Sequence, residues 1–204
     1  FGTFGDEEVL SVSQGRSYGI ELLGRLKNFR GSNLVFSYTL VRSEFKGPGT
    51  GYIPTSWDNK HLFNLTATRK FKNNWEAGVK WRFIGGSPYT PWDLEKSSNM
   101  MAWDVRGRGY LDFAVYNSER LKAFHQLDIR IDKSFFFDRW TLMLYADVQN
   151  VYNFQADQPP ILVRETDENN IPLTDPENPE KYLLKFIDGG VGNVLPTVGI
   201  IIEF

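Results

Sequence analysis

The stretch "HQLDIRIDKSFFFDRWTLMLYADVQ", residues 125 to 149, decides the fold. Leu127, Ile129 and Ile131 alternate with Gln126, Asp128, Arg130, Asp132 and Ser134. After the turn "FFFDRW" the alternation resumes, with Trp140, Leu142, Leu144, Ala146 and Val148 opposite Thr141, Met143, Tyr145, Asp147 and Gln149. Successive side chains of a strand point to opposite faces, while a helical stripe repeats at about 3.6 residues, so this is a β-hairpin with one apolar and one polar face.

The same period recurs on both sides of the hairpin. Residues 16 to 27 set Tyr18, Ile20, Leu22, Gly24 and Leu26 against Ser17, Gly19, Glu21, Leu23, Arg25 and Lys27, and residues 33 to 43 set Leu34, Phe36, Tyr38 and Leu40 against Asn33, Val35, Ser37, Thr39 and Val41. Residues 60 to 71 carry Phe63, Leu65, Ala67 and Phe71 on one side. Residues 75 to 86 carry Trp75, Ala77, Val79, Trp81 and Phe83 there, and the closing 195 to 204 carries Val198, Ile200, Ile202 and Phe204. Seven strands are expected, each longer than the roughly 5 to 6 residues usual in globular proteins and near the about 9 to 11 that a tilted strand needs to cross a bilayer. Mid-strand, the apolar face carries no charge; Arg69 is the exception, close to a strand end. An ion on a lipid-facing wall costs about 2 to 4 kcal/mol at the midplane and little near the interface.

The connections alternate in length. Short turns fall near 28 to 32, 72 to 74 and 136 to 139, long ones at 44 to 58, 87 to 122 and 153 to 195, so all short turns lie at one end of the sheet. Short periplasmic turns opposite long external loops characterise outer-membrane barrels. Phe71, Trp75, Phe137 and Trp140 flank the short turns, where an interfacial belt places amphipathic rings. The expected fold is all-β, a transmembrane antiparallel β-barrel located in the cell outer membrane. A soluble β-sandwich also alternates apolar and polar residues, and a soluble β-rich binding module remains the alternative from another class.

Composition narrows the rest. The 23 basic and 25 acidic residues are mixed along the chain, so no basic stripe marks a nucleic-acid partner, and the absence of cysteine excludes thiol chemistry. Seven is an odd number, whereas single-chain bacterial barrels have even strand counts, and open edges are not tolerated in hydrocarbon. Residues 1 to about 14 are therefore expected to be the tail of a loop whose preceding strand lies upstream of Phe1, and the terminal strand to pair with an N-terminal strand outside this sequence.

The stretches "YGIELLGR" (18 to 25), "WRFIGGSPYTPWD" (81 to 93), "LKAFHQLDIRIDKSFFF" (121 to 137), "LYADVQNVYN" (144 to 153) and "LPTVGIIIEF" (195 to 204), in this order, resemble the C-terminal barrel segment of TonB-dependent outer-membrane receptors of the Bacteroidetes type. The resemblance implies that residues 1–204 form the C-terminal part of a 22-stranded barrel domain, with a plug domain absent from this sequence. It further implies active import of a scarce ligand such as a siderophore, glycan or peptide. The implied partners are outer-membrane lipid, the N-terminal strands and plug of the same receptor, TonB through the plug region, and a surface lipoprotein. Phe204 resembles the terminal aromatic presented to the barrel-assembly machinery. A passive porin-like barrel is the nearer alternative.

Within the loop 87 to 122, Trp92, Trp103, Arg106, Arg108 and Tyr110, with Tyr116 nearby, are the candidate ligand-binding residues, because aromatic faces beside bidentate donors suit sugars, peptides or anionic chelates. A loop folded on its own aromatics is the competing account. The carboxylates of "DENN" (167 to 170) and "TDPENPE" (174 to 180) lack the spacing of a calcium loop. His61 and His125 are too few and too far apart in sequence for a zinc site, and His125 has the opposite parity to Asp132 and Ser134, so no triad converges. Neither a catalytic residue, a metal nor a cofactor is expected. Glu21, Arg25, Glu76, Lys80, Arg82, Asp128, Arg130 and Asp132 are expected to face the lumen and pair with one another or the plug.

Overall fold

The computed structural model describes residues 12–47, 49 and 51–204; most of the expected opening loop tail, residues 1–11, lies outside the described residues. In chain order the strands are β1 (Gln14–Phe29), β2 (Ser32–Lys46), β3 (Ile53–Pro54), β4 (Lys60–Lys70), β5 (Trp75–Ile84), β6 (Pro88–Tyr89), β7 (Trp92–Asp93), β8 (Tyr110–Leu111), β9 (Glu119–Arg120), β10 (Phe124–Phe136), β11 (Thr141–Gln149), β12 (Ile161–Arg164), β13 (Leu184–Ile187) and β14 (Leu195–Glu203). Two short helices, α1 (Leu94–Ser98) and α2 (Met100–Arg106), sit between β7 and β8. The seven long strands form one antiparallel meander in the order β1-β2-β4-β5-β10-β11-β14, with β3 added beside β2. The sheet is open, and β1 and β14 are its edges.

The expected strands are present, and β1 and β2 extend a few residues beyond the expected limits. Ladder hydrogen bonds continue past the apolar stretch because Arg16 and Glu44 sit opposite each other and pair at 2.7 Å. Two of the three short turns use left-handed backbone: Asn28 (φ 52), Arg30 (φ 50) and Gly31 (φ 80) in the first, Asn73 (φ 58) and Asn74 (φ 57) in the second; the short polar side chain of asparagine lowers the steric penalty there.

Register assigns the faces. Ile20 pairs with Leu40, Phe36 with Leu65, Leu65 with Trp81, Val79 with Ile129, Ile129 with Val148, and Ala146 with Val198, so one apolar surface runs across all seven strands. The other face is polar: Thr66, Lys80 and Asp128 follow one another across neighbouring strands, and Arg130 faces Asp147. Arg69 is not alone among the cations on the apolar face. Lys133 pairs in register with Trp75 on one side and Leu144 on the other, near the same end of the sheet.

Two polar rows bound the apolar surface. At the loop end stand His61 and His125; at the turn end stand Arg69 and Lys133, eight residues away on each strand (69 − 61 and 133 − 125). At about 3.3 Å per residue the rows are on the order of 26 Å apart along the strands. No charged side chain lies on this face between them. Both rows are aromatic. The Tyr38 hydroxyl shares a 2.8 Å hydrogen bond with His61 Nδ1, and the Tyr152 hydroxyl one of 2.7 Å with His125 Nδ1; at the turn end Phe137 stacks on Trp140 at 4.2 Å.

Burial is inverted relative to an ordinary β-domain. Among the described residues no side chain of the seven long strands is buried. The buried apolar residues, Trp103, Leu162 and Tyr182, all belong to the long connections.

Candidate functional site

The long connections 87 to 122 and 153 to 195 fold together at the loop end. The first is a narrow stalk, in which β6 pairs with β9 and β7 with β8, carrying α1 and α2 at its tip. Asp93 caps α1 by accepting from the Lys96 N–H at 2.9 Å, and Asn99 caps α2 by accepting from Ala102 N–H at 3.0 Å. Gly107 closes α2 in the left-handed region at φ 68, its N–H reaching Trp103 O at 2.7 Å, a position where a Cβ would be strained. The second connection supplies the hairpin β12–β13, and the two join through Met100 N–H to Glu180 O (3.0 Å) and Tyr182 N–H to Ser98 O (2.7 Å).

This module has its own core. Trp103 is 4% exposed and packs with Leu162 and Tyr182, flanked by Trp92, Met100 and Leu184. The Trp92 indole N–H donates to Pro160 O at 2.7 Å, and the Tyr182 hydroxyl donates to Asp104, which Arg164 pairs at 3.1 Å. Of the expected ligand-binding residues, Trp92 and Trp103 are thus engaged inside the module. Tyr110 is half-buried, its hydroxyl donating to Ala102 O at 2.9 Å with the Arg106 guanidinium 4.6 Å over its ring. Arg106 and Tyr110 come together; Arg108 is exposed, without an ion pair or ring contact among the described residues.

A different cluster anchors the loops to the sheet. Asp58 is completely buried and receives Ser43 N–H at 2.9 Å, Arg42 at 3.4 Å and the Arg120 guanidinium. Arg120 also donates to the carbonyls of Asp58 (2.6 Å) and Gly86 (2.9 Å). A buried carboxylate is tolerated when paired and hydrogen-bonded, and here one residue holds β2 and the start of β4 to the stalk. Nothing in the local sequence around Asp58 marks it, because its partners come from positions 15 and 62 residues away.

Beside this anchor opens a pocket of about 450 Å³, within the usual range for small-ligand sites. Tyr89, Leu111, Phe113, Tyr116 and Asn117 line it, and no charged side chain does. Phe113 stacks on Tyr116 with centroids 6.0 Å apart, and Phe45 meets Tyr116 edge-on at 5.5 Å. Asn117 is fixed by its amide N–H donating to Pro54 O at 2.8 Å and its backbone N–H to Thr90 Oγ1 at 3.1 Å. Burial pushes the Tyr89 phenol above its usual range, and the nearby Glu119 and Asp157 carboxylates add to the effect. Such a pocket can stack on a ring and offer neutral hydrogen bonds; an anion would find no lining cation. Tyr89 and Phe113 were readable as aromatics in "SPYTPW" and "DFAVYN", yet nothing local says that they converge.

On the polar face Arg130 grips Asp132 through Nε and Nη2 (2.7 to 3.1 Å) and lies 4.1 Å over the Tyr145 ring. Arg82 pairs with Asp128 at 3.3 Å. His125 lies on the opposite face from Asp132 and Ser134. Among the described residues no three His, Cys, Asp or Glu side chains are grouped to hold a metal.

No protein-family model matches the chain, and no curated protein does.

Proposed function

We propose that this chain forms part of the wall and the external loops of a transmembrane β-barrel in the outer membrane, and that the barrel is a TonB-dependent receptor importing a scarce ligand. The observation that carries the membrane reading is the apolar surface of seven strands, free of charge between two polar and aromatic rows and buried by none of the described residues. A soluble domain would bury such a surface; hydrocarbon would solvate it at no cost in unpaired polar groups. The inverted burial is what an external loop module on a lipid-solvated wall produces. Closure requires further strands against β1 and β14, since an open edge leaves backbone groups unpaired in lipid.

The receptor assignment rests on the sequence resemblance and on the folded loops, whose neutral aromatic pocket favours an uncharged, ring-bearing ligand over an anionic chelate. The polar-face ion pairs, Arg82–Asp128 and Arg130–Asp132, suit contact with a plug better than an open aqueous pore. In this reading the chain has no catalytic role. Its partners are outer-membrane lipid, the remaining strands and plug, TonB through that plug, and a surface lipoprotein above the loops.

Fractionation of the native host with heat-dependent gel mobility tests the proposal. The protein should be extracted from outer membranes by detergent alone and migrate faster unheated than boiled. Recovery as a buffer-soluble monomer overturns the membrane reading. A full-length gene lacking a plug-like domain and a TonB-binding segment overturns the importer reading and leaves a porin-like barrel.

A further inference from the structure

The two ends of the apolar face treat their arginines differently; the loop-end lysines Lys46 and Lys60, like those of the turn end, form no ion pair among the described residues. At the loop end Arg16 pairs with Glu44 at 2.7 Å and Arg42 with Asp58 at 3.4 Å. On the polar face Arg82 and Arg130 are likewise paired. At the turn end Arg30, Arg69, Lys72, Lys133 and Arg139 form no ion pair among the described residues. The three short turns contain one carboxylate, Asp138, against Arg30, Lys72 and Arg139. The other side-chain carboxylates near this end, Glu76, Asp132 and Glu203, lie on the polar face, the first two side by side and the third opposite Thr141.

These cations are interleaved with rings. Arg30 lies 5.5 Å from the Phe29 ring, Arg69 5.6 Å from Phe71, and Lys133 5.4 Å from Trp75 and 5.2 Å from Phe135. Lys133 also donates to the Asn73 carbonyl in the adjoining turn, so its head is held at the rim while its stem lies on the apolar face. Aliphatic stems on the apolar surface with heads turned to its border are the geometry of snorkelling. Unpaired positive charge of this density, bordering a hydrocarbon-compatible face, lacks a counter-ion.

We propose that the turn-end rim is a docking site for anionic phospholipids, whose headgroup phosphates pair with Arg30, Arg69, Lys72, Lys133 and Arg139 while their acyl chains lie along the apolar face. The proposal rests on the membrane reading above. A lipid, rather than a free phosphate ion, is the occupant because the cations stand at the edge of the apolar surface and between aromatic rings that prefer the headgroup region. Arginine offers a fork matched to phosphate oxygens, and lysine a point charge.

The test uses the intact barrel containing this chain, reconstituted into vesicles of phosphatidylcholine alone or mixed with phosphatidylglycerol, with the boundary-lipid composition measured by spin-labelled lipid. Phosphatidylglycerol should be enriched at the protein surface, and enrichment should fall in high salt and in Arg69→Gln/Lys133→Gln, by up to roughly fivefold for each cation removed. Arg139→Gln, in an exposed turn, should lower it as well and guards against misfolding of the double variant. Arg16→Gln, at the compensated loop end, should leave it unchanged. Insertion without enrichment, or enrichment that survives the turn-end variants, overturns the docking proposal alone. Failure to insert into either vesicle overturns it together with the membrane reading.

Discussion

The sheet and the loop module are built on opposite plans. The module is small, irregular and helical at its tip, yet holds the chain's buried apolar residues around Trp103, Leu162 and Tyr182. The sheet is regular and extensive, yet leaves Val198 81% and Ile200 67% exposed. Backbone hydrogen bonds and cross-strand pairs hold the sheet, whereas hydrophobic burial holds the module. The lesson is that regularity and core have separated: the sheet aligns apolar residues on one face that no described residue buries, while the core sits in the loops.

Substitutions can break this separation one side at a time. Trp103→Ala should open the loop module at a cost of about 3 to 5 kcal/mol, as for large core aromatics, exposing residues 87 to 122 to protease while the heat-dependent mobility expected of the proposed barrel is retained. Simultaneous loss of both would show that sheet and module are one cooperative unit. On the proposed membrane reading, Ile129→Arg should destabilise the sheet by about 2 to 4 kcal/mol and block assembly, measured by unfolding in lipid. Arg130→Ala, one residue away on the polar face, should cost under about 1 kcal/mol, because its guanidinium and Asp132 remain partly exposed. Equal effects at 129 and 130 would contradict the assigned faces.

Smaller changes sharpen the boundary between the two regions. Tyr38→Phe removes the 2.8 Å hydrogen bond to His61 and should cost about 1 kcal/mol without altering insertion. The weakest effect concerns pH. Because the Tyr89 pKa is raised in the folded protein, the folded state holds that proton more tightly. The associated stability is complete below the ordinary tyrosine value near 10 and is lost as pH rises from there through the raised value of the folded state. Alkaline loosening of the loops, followed by protease sensitivity, should therefore be reduced in Tyr89→Phe; unchanged alkaline behaviour would assign it to other groups.

Much of the wall is legible in the chain itself. Period-two alternation, with asparagine or glycine at two of the three tight turns, places the seven strands and their faces, since both follow from local backbone geometry. Lys133 shows where legibility stops: its parity puts it on the apolar face, but only the register with Trp75 and the reach to Asn73 explain why it is accommodated there. The aromatic and arginine content of 87 to 122 drew attention to Trp92 and Trp103, which the structure engages inside the module, while Tyr89 and Phe113 line the pocket instead.

What the sequence determined by itself is therefore the strands, their faces and the sidedness of the connections, because alternation and turn chemistry act over a few residues. The tertiary structure decided the loop core, the burial of Asp58 between Arg42 and Arg120, the convergence of the pocket and the unpaired state of the turn-end cations. Each of these depends on which distant side chains meet. Contacts across 60 or more residues, such as Arg120 with Asp58 or Tyr182 with Asp104, leave no periodic trace in the chain that makes them.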